Sequence, residues 1–239
     1  MQELDAAHRL YQDAEGFSFG TDAVLLAGFL RFSADAVGVE LGTGTGIIPL
    51  LLSIHRSFQK IYALEIQKDS AALAEENIKM NGFSEKVAVL CHDLKEALPA
   101  LCGKADFVFS NPPYMKEAVG KLPAGEKKSI ARHEICCTVE DVCRAAARFL
   151  KDRGDFFVIY RTERLAALIA ALKAARLEPK EVLFVSPKPS DEPRLFLLRA
   201  VKGGGEGLRI HKTLVLQDEK GTMTERVKRL YENGVLEKE

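Results

Sequence analysis

The 239-residue sequence has no net charge, since 34 Lys and Arg balance 34 Asp and Glu. Nothing global draws it to a polyanion, so a nucleic-acid partner would have to be met through local patches. It also lacks a long apolar run. The longest, Ala23 to Leu30, is far too short to cross a bilayer, and no membrane association is expected. The first residues, Met-Gln-Glu-Leu-Asp, are acidic and have no apolar segment behind them, which argues against a secretory signal. Cysteines are few (Cys91, Cys102, Cys136, Cys137 and Cys143), odd in number and without Cys-x-x-Cys spacing. Neither a disulfide framework nor a zinc site is indicated, and free thiols in a reducing cytoplasm are expected. The histidines show no metal-like spacing. There is no internal repeat, and no Ser-His-Asp or Cys-His arrangement.

What is present is an ordinary globular composition, 47% apolar and 28% charged, in a chain long enough to bury a core without staples. Short β-branched or apolar runs alternate with longer amphipathic ones. Strands are expected at 37–41, 61–65, 87–90, 106–110 and 156–160. Helices are expected at 47–54, 67–80, 138–150 and 163–175. The Asn81-Gly82 pair stops the second of these helices, and Thr138-Val139-Glu140-Asp141 opens the third as a capping box. An apolar helix at 22–30 precedes the first strand. Two closing strands, 181–185 and 195–200, have no helix between them and must run antiparallel, because a parallel return needs a long connection. The pattern predicts an α/β fold with a doubly wound, mostly parallel seven-stranded sheet, one antiparallel strand and helices on both faces. Residues 1–200 form the expected domain. Residues 201–239, beyond Gly203-Gly204-Gly205, are too few to fold alone and are expected to pack on it as an appendage.

The first chemical motif is Glu40-Leu41-Gly42-Thr43-Gly44-Thr45-Gly46, between the first strand and its helix. Glycines there let the backbone turn tightly and approach a ligand at a helix N-terminus. The dinucleotide fingerprint fails, because Ile47 and Pro49 stand where it needs glycine. An acid directly before the loop suits a ligand carrying an ammonium or sulfonium better than a diphosphate. Glu65 ends the second strand, 19 residues after Gly46, where a carboxylate can accept both hydroxyls of a ribose. Asp93 follows the third strand and can take the amino group of an adenine. Together with their neighbours Ile66 and Leu94, these residues describe a site for an adenosine with a short non-phosphate tail. S-adenosylmethionine fits that description.

The second motif is Ser110-Asn111-Pro112-Pro113-Tyr114, just past the fourth strand. In an open α/β sheet this is the carboxyl edge, where ligands bind. The Asn111 amide oxygen and the Pro112 carbonyl can hold the two hydrogens of an exocyclic NH2 and aim the nitrogen lone pair at a sulfonium methyl. Tyr114 supplies a flat face for a stacked base or amide. This is catalysis by orientation and electrostatics, without a strong base. Asn-Pro and Pro-Pro are also common turn formers. It is the order of the three features that points to chemistry.

The series Glu40 to Gly46, Glu65, Asp93, Asn111-Pro112-Pro113-Tyr114 resembles the class I S-adenosylmethionine-dependent methyltransferases that act on amino groups, with their Rossmann-like fold. Within them, Phe17 to Ala27, Arg132-His133-Glu134 and Gly221-Thr222-Met223-Thr224 are similar to segments of the bacterial tRNA-Val adenine N6-methyltransferases. That resemblance implies a tRNA substrate, methylated at the adenine 3′ of the anticodon. It also implies that a loop reaching Gly20, Thr21 and Asp22 closes over the methionine end of the cofactor. Release-factor glutamine methyltransferases share the four-residue motif but carry a separate N-terminal helical domain, for which the residues before Val37 are too few. Methylation of a protein glutamine, or of an exocyclic amine in rRNA or DNA, remains an alternative, as does a cofactor-binding RNA module without turnover.

Local charge gives weak support for RNA. Between Met115 and His133, Lys116, Lys121, Lys127, Lys128 and Arg132 face Glu117 and Glu126, a net +3 beside the proposed catalytic edge. With Pro113, Tyr114 and His133, the residues Lys116, Lys127, Lys128 and Arg132 are the candidate substrate contacts. A second net +3 stretch runs from Arg199 to Lys212, where Arg199, Lys202, Arg209 and Lys212 face Glu206. The oligomeric state is left open between a monomer and a weak dimer.

Overall fold

The computed structural model describes residues 2–4, 7–11, 20–112 and 137–237. A two-residue antiparallel pair, Gln2–Glu3 with Arg9–Leu10, opens the chain. Helix α1 (Thr21–Phe29) follows, and it is buried from Ala23 to Phe29, as befits a helix that is apolar all round. Then come β1 (Val37–Leu41), α2 (Ile47–His55), β2 (Lys60–Glu65), α3 (Lys68–Met80), β3 (Val87–Cys91) and β4 (Ala105–Ser110). They are followed by α4 (Val139–Phe149), β5 (Leu150–Arg161), α5 (Leu165–Ala174), β6 (Leu177–Ser186) and β7 (Leu195–Lys202). The tail adds β8 (Arg209–Ile210), β9 (Leu214–Val215) and α6 (Glu225–Asn233).

One sheet takes in β1 to β9. Its order is β8-β6-β7-β5-β4-β1-β2-β3, and β9 also pairs with β6. Every pairing is parallel except those of β7, which lies between β5 and β6 and runs antiparallel to both. The seven expected strands and the single antiparallel one are all there. The two tail strands extend the sheet by laying short parallel segments along the outer edge of β6, which covers part of an edge that would otherwise be exposed.

Alternation along the strands divides the core into two layers. Phe107, Phe109, Phe157, Ile159 and Leu197 join residues of α1, α2 and α6 and Ile78 of α3 in one cluster. Val108, Phe156, Val158, Phe196 and Leu198 join α4 and α5 in the other. Val227, Leu230 and Leu236 of the tail belong to the first cluster, and the Leu236 amide donates to Gly28 O at 2.8 Å.

The capping box is present: Thr138 Oγ1 accepts from Asp141 N at 3.2 Å, and Asp141 Oδ2 accepts from Thr138 N at 2.9 Å. Helix α3 stops at Met80, with Gly82 in the left-handed region at φ 79°. Two strands start earlier than expected, β6 at Leu177 and not Glu181, and β5 by more, while β8 was not expected. β5 begins at Leu150, where the preceding helix was expected to end, and not at Phe156. Leu150 is fully buried and pairs with Ala105 at the start of β4, before an irregularity in register. Arg153, at φ 67°, turns the chain back into the ladder. No helix among the described residues is long and apolar enough to cross a membrane.

Candidate functional site

The strand order reverses between β1 and β4, and in open α/β sheets the crevice at such a point is where ligands bind. Register organises it. Glu40 lies opposite Ala63 of β2 and Phe109 of β4, and Glu65 lies opposite Cys91 of β3. Carried one step past the strands, this sets Asn111, Gly42, Glu65 and Cys91 in one row, with Asp93 two residues beyond. Three strand spacings make that row roughly 14 Å long, enough for a nucleoside with a short tail. Ser110 Oγ donates to Leu41 O at 2.8 Å and ties the ends of β4 and β1 together.

The glycine loop turns back over β2. Gly42 N and Thr43 N both donate to Leu64 O, at 3.0 and 2.9 Å. Gly42, Gly44 and Gly46 all have left-handed φ, at 77°, 57° and 79°, which L side chains rarely adopt. A Cβ at Gly42 or Gly44 would meet nothing within 4 Å, so these two leave open space above the loop. At Gly46, the N-cap of α2, a Cβ would meet the Ala74 Cβ at 3.3 Å. The third glycine therefore serves helix packing. Glu65 is buried and braces the loop: Oε2 accepts from Gly44 N and Oε1 from Gln67 N, both at 2.9 Å. Each oxygen keeps a lone pair for a ligand hydroxyl.

Glu40 is only 1% exposed. Burial pushes its carboxyl up to about 8 from an ordinary value of 4.5; the nearby Thr43 hydroxyl pulls it down and the Glu65 carboxylate pushes it up further. The Thr43 hydroxyl does not close a hydrogen bond of good geometry. Glu40 Oε2 and Thr43 Oγ1 are both buried without a hydrogen-bond partner. Buried polar atoms are normally satisfied, and an orphan carboxyl oxygen and hydroxyl beside an open glycine cradle suit a ligand that brings a cation or a donor. The donor set thus fits a cofactor with an adenosine and a cationic amino-acid tail.

The remaining expected residues are distributed as follows. Asp93 Oδ1 accepts from Lys95 N at 2.9 Å, and its Oδ2 lies 3.6 Å from Lys95 Nζ. Ile66 is 45% exposed at the edge, unusual for an isoleucine, while Leu94 packs against the α4–α5 layer. Gly20 is the N-cap of α1, and Thr21 and Asp22 are half-buried in its first turn; no side chain caps that helix. Asn111 and Pro112 directly follow β4 and are half-buried. Pro113, Tyr114, Lys116, Lys127, Lys128, Arg132 and His133 lie outside the described residues.

Two of the four cations in the second basic stretch are bonded within the sheet. Arg199 is held by Asp155 and Glu181, each at 2.9 Å, and Lys202 Nζ donates to Leu150 O at 2.8 Å. These two cations tie strands together and do not form part of a free cationic face. Two residues that the sequence reading missed support the site. Arg148 of α4 reaches the carbonyls of Lys95 and Glu96, at 2.9 and 3.0 Å, and fixes the turn after Asp93. No local pattern announces it. Asn77 of α3 reaches the glycine loop through Thr45 O at 2.9 Å. Its signal was a polar residue on the stripe of Ala71, Ala74 and Ile78.

Comparison with known proteins shows the family and the fold. A family model described as the methyltransferase small domain matches residues 15–175. A Parabacteroides distasonis protein named tRNA1(Val) (adenine(37)-N6)-methyltransferase is 30% identical over 79% of this chain and 78% of its own length. A protein of the same name from Trichodesmium erythraeum is 30% identical over 91% of this chain and 86% of its own length. Among solved structures, a predicted O-methyltransferase from Agrobacterium tumefaciens superposes with a TM-score of 0.73 at 21% identity, covering 90% of this chain and 98% of that one. At that identity the likeness speaks for the fold alone.

Proposed function

The chain belongs to the methyltransferase small domain family, and from that premise we propose that it transfers the methyl group of S-adenosylmethionine to the exocyclic N6 of an adenine in tRNA. The cofactor supplies an electrophilic methyl on a sulfonium. In this reading Glu65 accepts the ribose hydroxyls, Asp93 accepts from the adenine amino group, and Glu40 with Thr43 faces the cationic amino-acid end. The backbone at Gly42 and Gly44 allows close approach. Asn111 Oδ1 and the Pro112 carbonyl accept the two hydrogens of the target amine, which holds its lone pair toward the methyl, and Tyr114 stacks on the base. The work is orientation and electrostatic complementarity.

The observation that carries the reading is that Asn111-Pro112 directly follows β4, in the same row as Gly42 and Glu65. The activity for which the relatives are named supports the choice of tRNA, and within tRNA the adenine at position 37 is the proposed target. A target base must leave its stack to enter such a site. A loop nucleotide loses little in doing so, and RNA specificity commonly targets loops. The test is methyl transfer from labelled S-adenosylmethionine to unmodified tRNA, with rRNA, DNA and protein alongside and products resolved as nucleosides by mass. N6-methyladenosine from tRNA is expected, and Asn111→Ala should abolish it while still binding cofactor. Substantial transfer by Asn111→Ala would refute the role of the amide. Label in protein would replace tRNA with a glutamine substrate.

A further inference from the structure

Asn77 is fully buried on α3, and every hydrogen bond it makes through its amide reaches another part of the chain. Its Nδ2 donates to Thr45 O in the glycine loop and to Tyr11 O in the N-terminal arm, both at 2.9 Å. Its Oδ1 accepts from Tyr11 N at 2.7 Å. Asn81, one helical turn on, repeats the grip: Oδ1 accepts from Arg9 N at 3.0 Å, and Nδ2 donates to Arg9 O at 2.7 Å. Four residues of helix rise about 6 Å and two residues of strand about 6.8 Å. Two asparagine amides four apart therefore match the N–H and C=O groups of alternate strand residues, and the face of α3 acts as a ladder for Arg9 and Tyr11. Leu10, between them, is buried in the core, and His8 stacks on Phe83 at 5.5 Å.

The Asn77 amide thus joins two things that the rest of the fold leaves separate. One is the extended arm. The other is the carbonyl of the residue between Gly44, whose N–H is bound by Glu65, and Gly46, which caps α2. We propose that Asn77 is a positioning residue for the cofactor loop, and that Asn77 and Asn81 together clamp the arm so that its docking holds the loop in its binding-competent shape. This rests on the reading that the loop from Gly42 to Gly46 receives S-adenosylmethionine. The clamp itself addresses only backbone atoms of the arm, at Arg9 and Tyr11. A hydrogen bond from a fully buried amide to a loop carbonyl is also costly to leave half-made.

The experiment measures S-adenosylmethionine and S-adenosylhomocysteine affinity by calorimetry for the wild type, Asn77→Ala, Asn77→Asp and Asn81→Ala, with thermal unfolding of each. Asn77→Asp keeps the acceptor for Tyr11 N but loses both donors. Asn77→Ala and Asn77→Asp should weaken both ligands about tenfold in protein that remains folded. Asn81→Ala, which removes the grip on Arg9 and a bond within α3 to Asn77 O but no bond to the glycine loop, should weaken them about threefold. In turnover, KM for the cofactor should rise by the same factors while kcat changes less than about threefold. A purely structural asparagine would lower the unfolding temperature and leave these affinities unchanged, and that result overturns the inference. Should Asn77→Ala not fold, Asn77→Asp and Asn81→Ala carry the same comparison. Failure of the wild type to bind either ligand would overturn the cofactor reading, and this inference with it. Wild-type binding with unaltered variants would overturn the inference alone.

Discussion

Glu40 gives the sharpest quantitative test, because its carboxyl is sealed from water and its Oε2 has no hydrogen-bond partner. Burial raises it from 4.5 to about 8. The folded chain then favours the protonated form, and the unfolded chain ionises it normally. Below about pH 4.5 both states are protonated and the group is neutral in its effect. From pH 4.5 to 8 the folded state holds a proton that the unfolded state has released, so stability falls by about 1.4 kcal/mol for each pH unit. The loss is about 3 kcal/mol at pH 7 and levels off near 5 kcal/mol above pH 8. The groups bearing on it are the Thr43 hydroxyl, which opposes the shift, and the Glu65 carboxylate, which reinforces it. Glu40→Gln removes the titration. Urea unfolding of both proteins without cofactor, from pH 5 to 8.5, should show the wild type losing about 3–4 kcal/mol relative to Glu40→Gln across that range. With S-adenosylmethionine the difference should shrink, because a cation beside Glu40 favours its ionised form. Calorimetry in buffers of different ionisation enthalpy should then register proton release on binding to the wild type and none to Glu40→Gln. Parallel stability curves for the two proteins would refute the reasoning.

Two other substitutions separate backbone strain from binding and local stability from function. Gly44→Ala places a side chain at φ 57° in open space; it should cost about 1–2 kcal/mol in the empty protein but abolish most of the thermal stabilisation by S-adenosylmethionine, as read from melting curves with and without ligand. Thr138→Ala removes the side-chain half of the capping box and should cost about 1 kcal/mol of stability by urea unfolding, with cofactor affinity unchanged.

Much of the fold could be read from local pattern. The strand cores at 37–41, 61–65 and 106–110 follow from short apolar runs, and the antiparallel β7 follows from the missing crossover helix. The capping box at Thr138 and the stop at Asn81-Gly82 need only a few neighbouring residues. Other features had no local sign. Leu150 pairs with Ala105, 45 positions away, and this draws β5 six residues back from its expected start. Asn81 read as a helix stop, yet it also grips Arg9, 72 positions earlier. Arg199 and Lys202 looked like an RNA-facing patch, but their partners come from other strands.

The sequence by itself determined the alternation of strands and helices, and with it the position of each acid at a strand end. Glu40, Glu65 and Asp93 all end or follow parallel strands, and parallel strands in a doubly wound sheet bring such ends to one edge. The left-handed turns were likewise implied by glycine at 42, 44 and 46. Only the tertiary structure decided which of these acids is buried and what each one lacks. Glu40 and Glu65 are similar carboxylates at similar strand ends. One has backbone amides on both oxygens, while the other has an oxygen with no partner at all. Desolvation and hydrogen-bond satisfaction depend on atoms brought close from distant parts of the chain, and no pattern along the sequence records them.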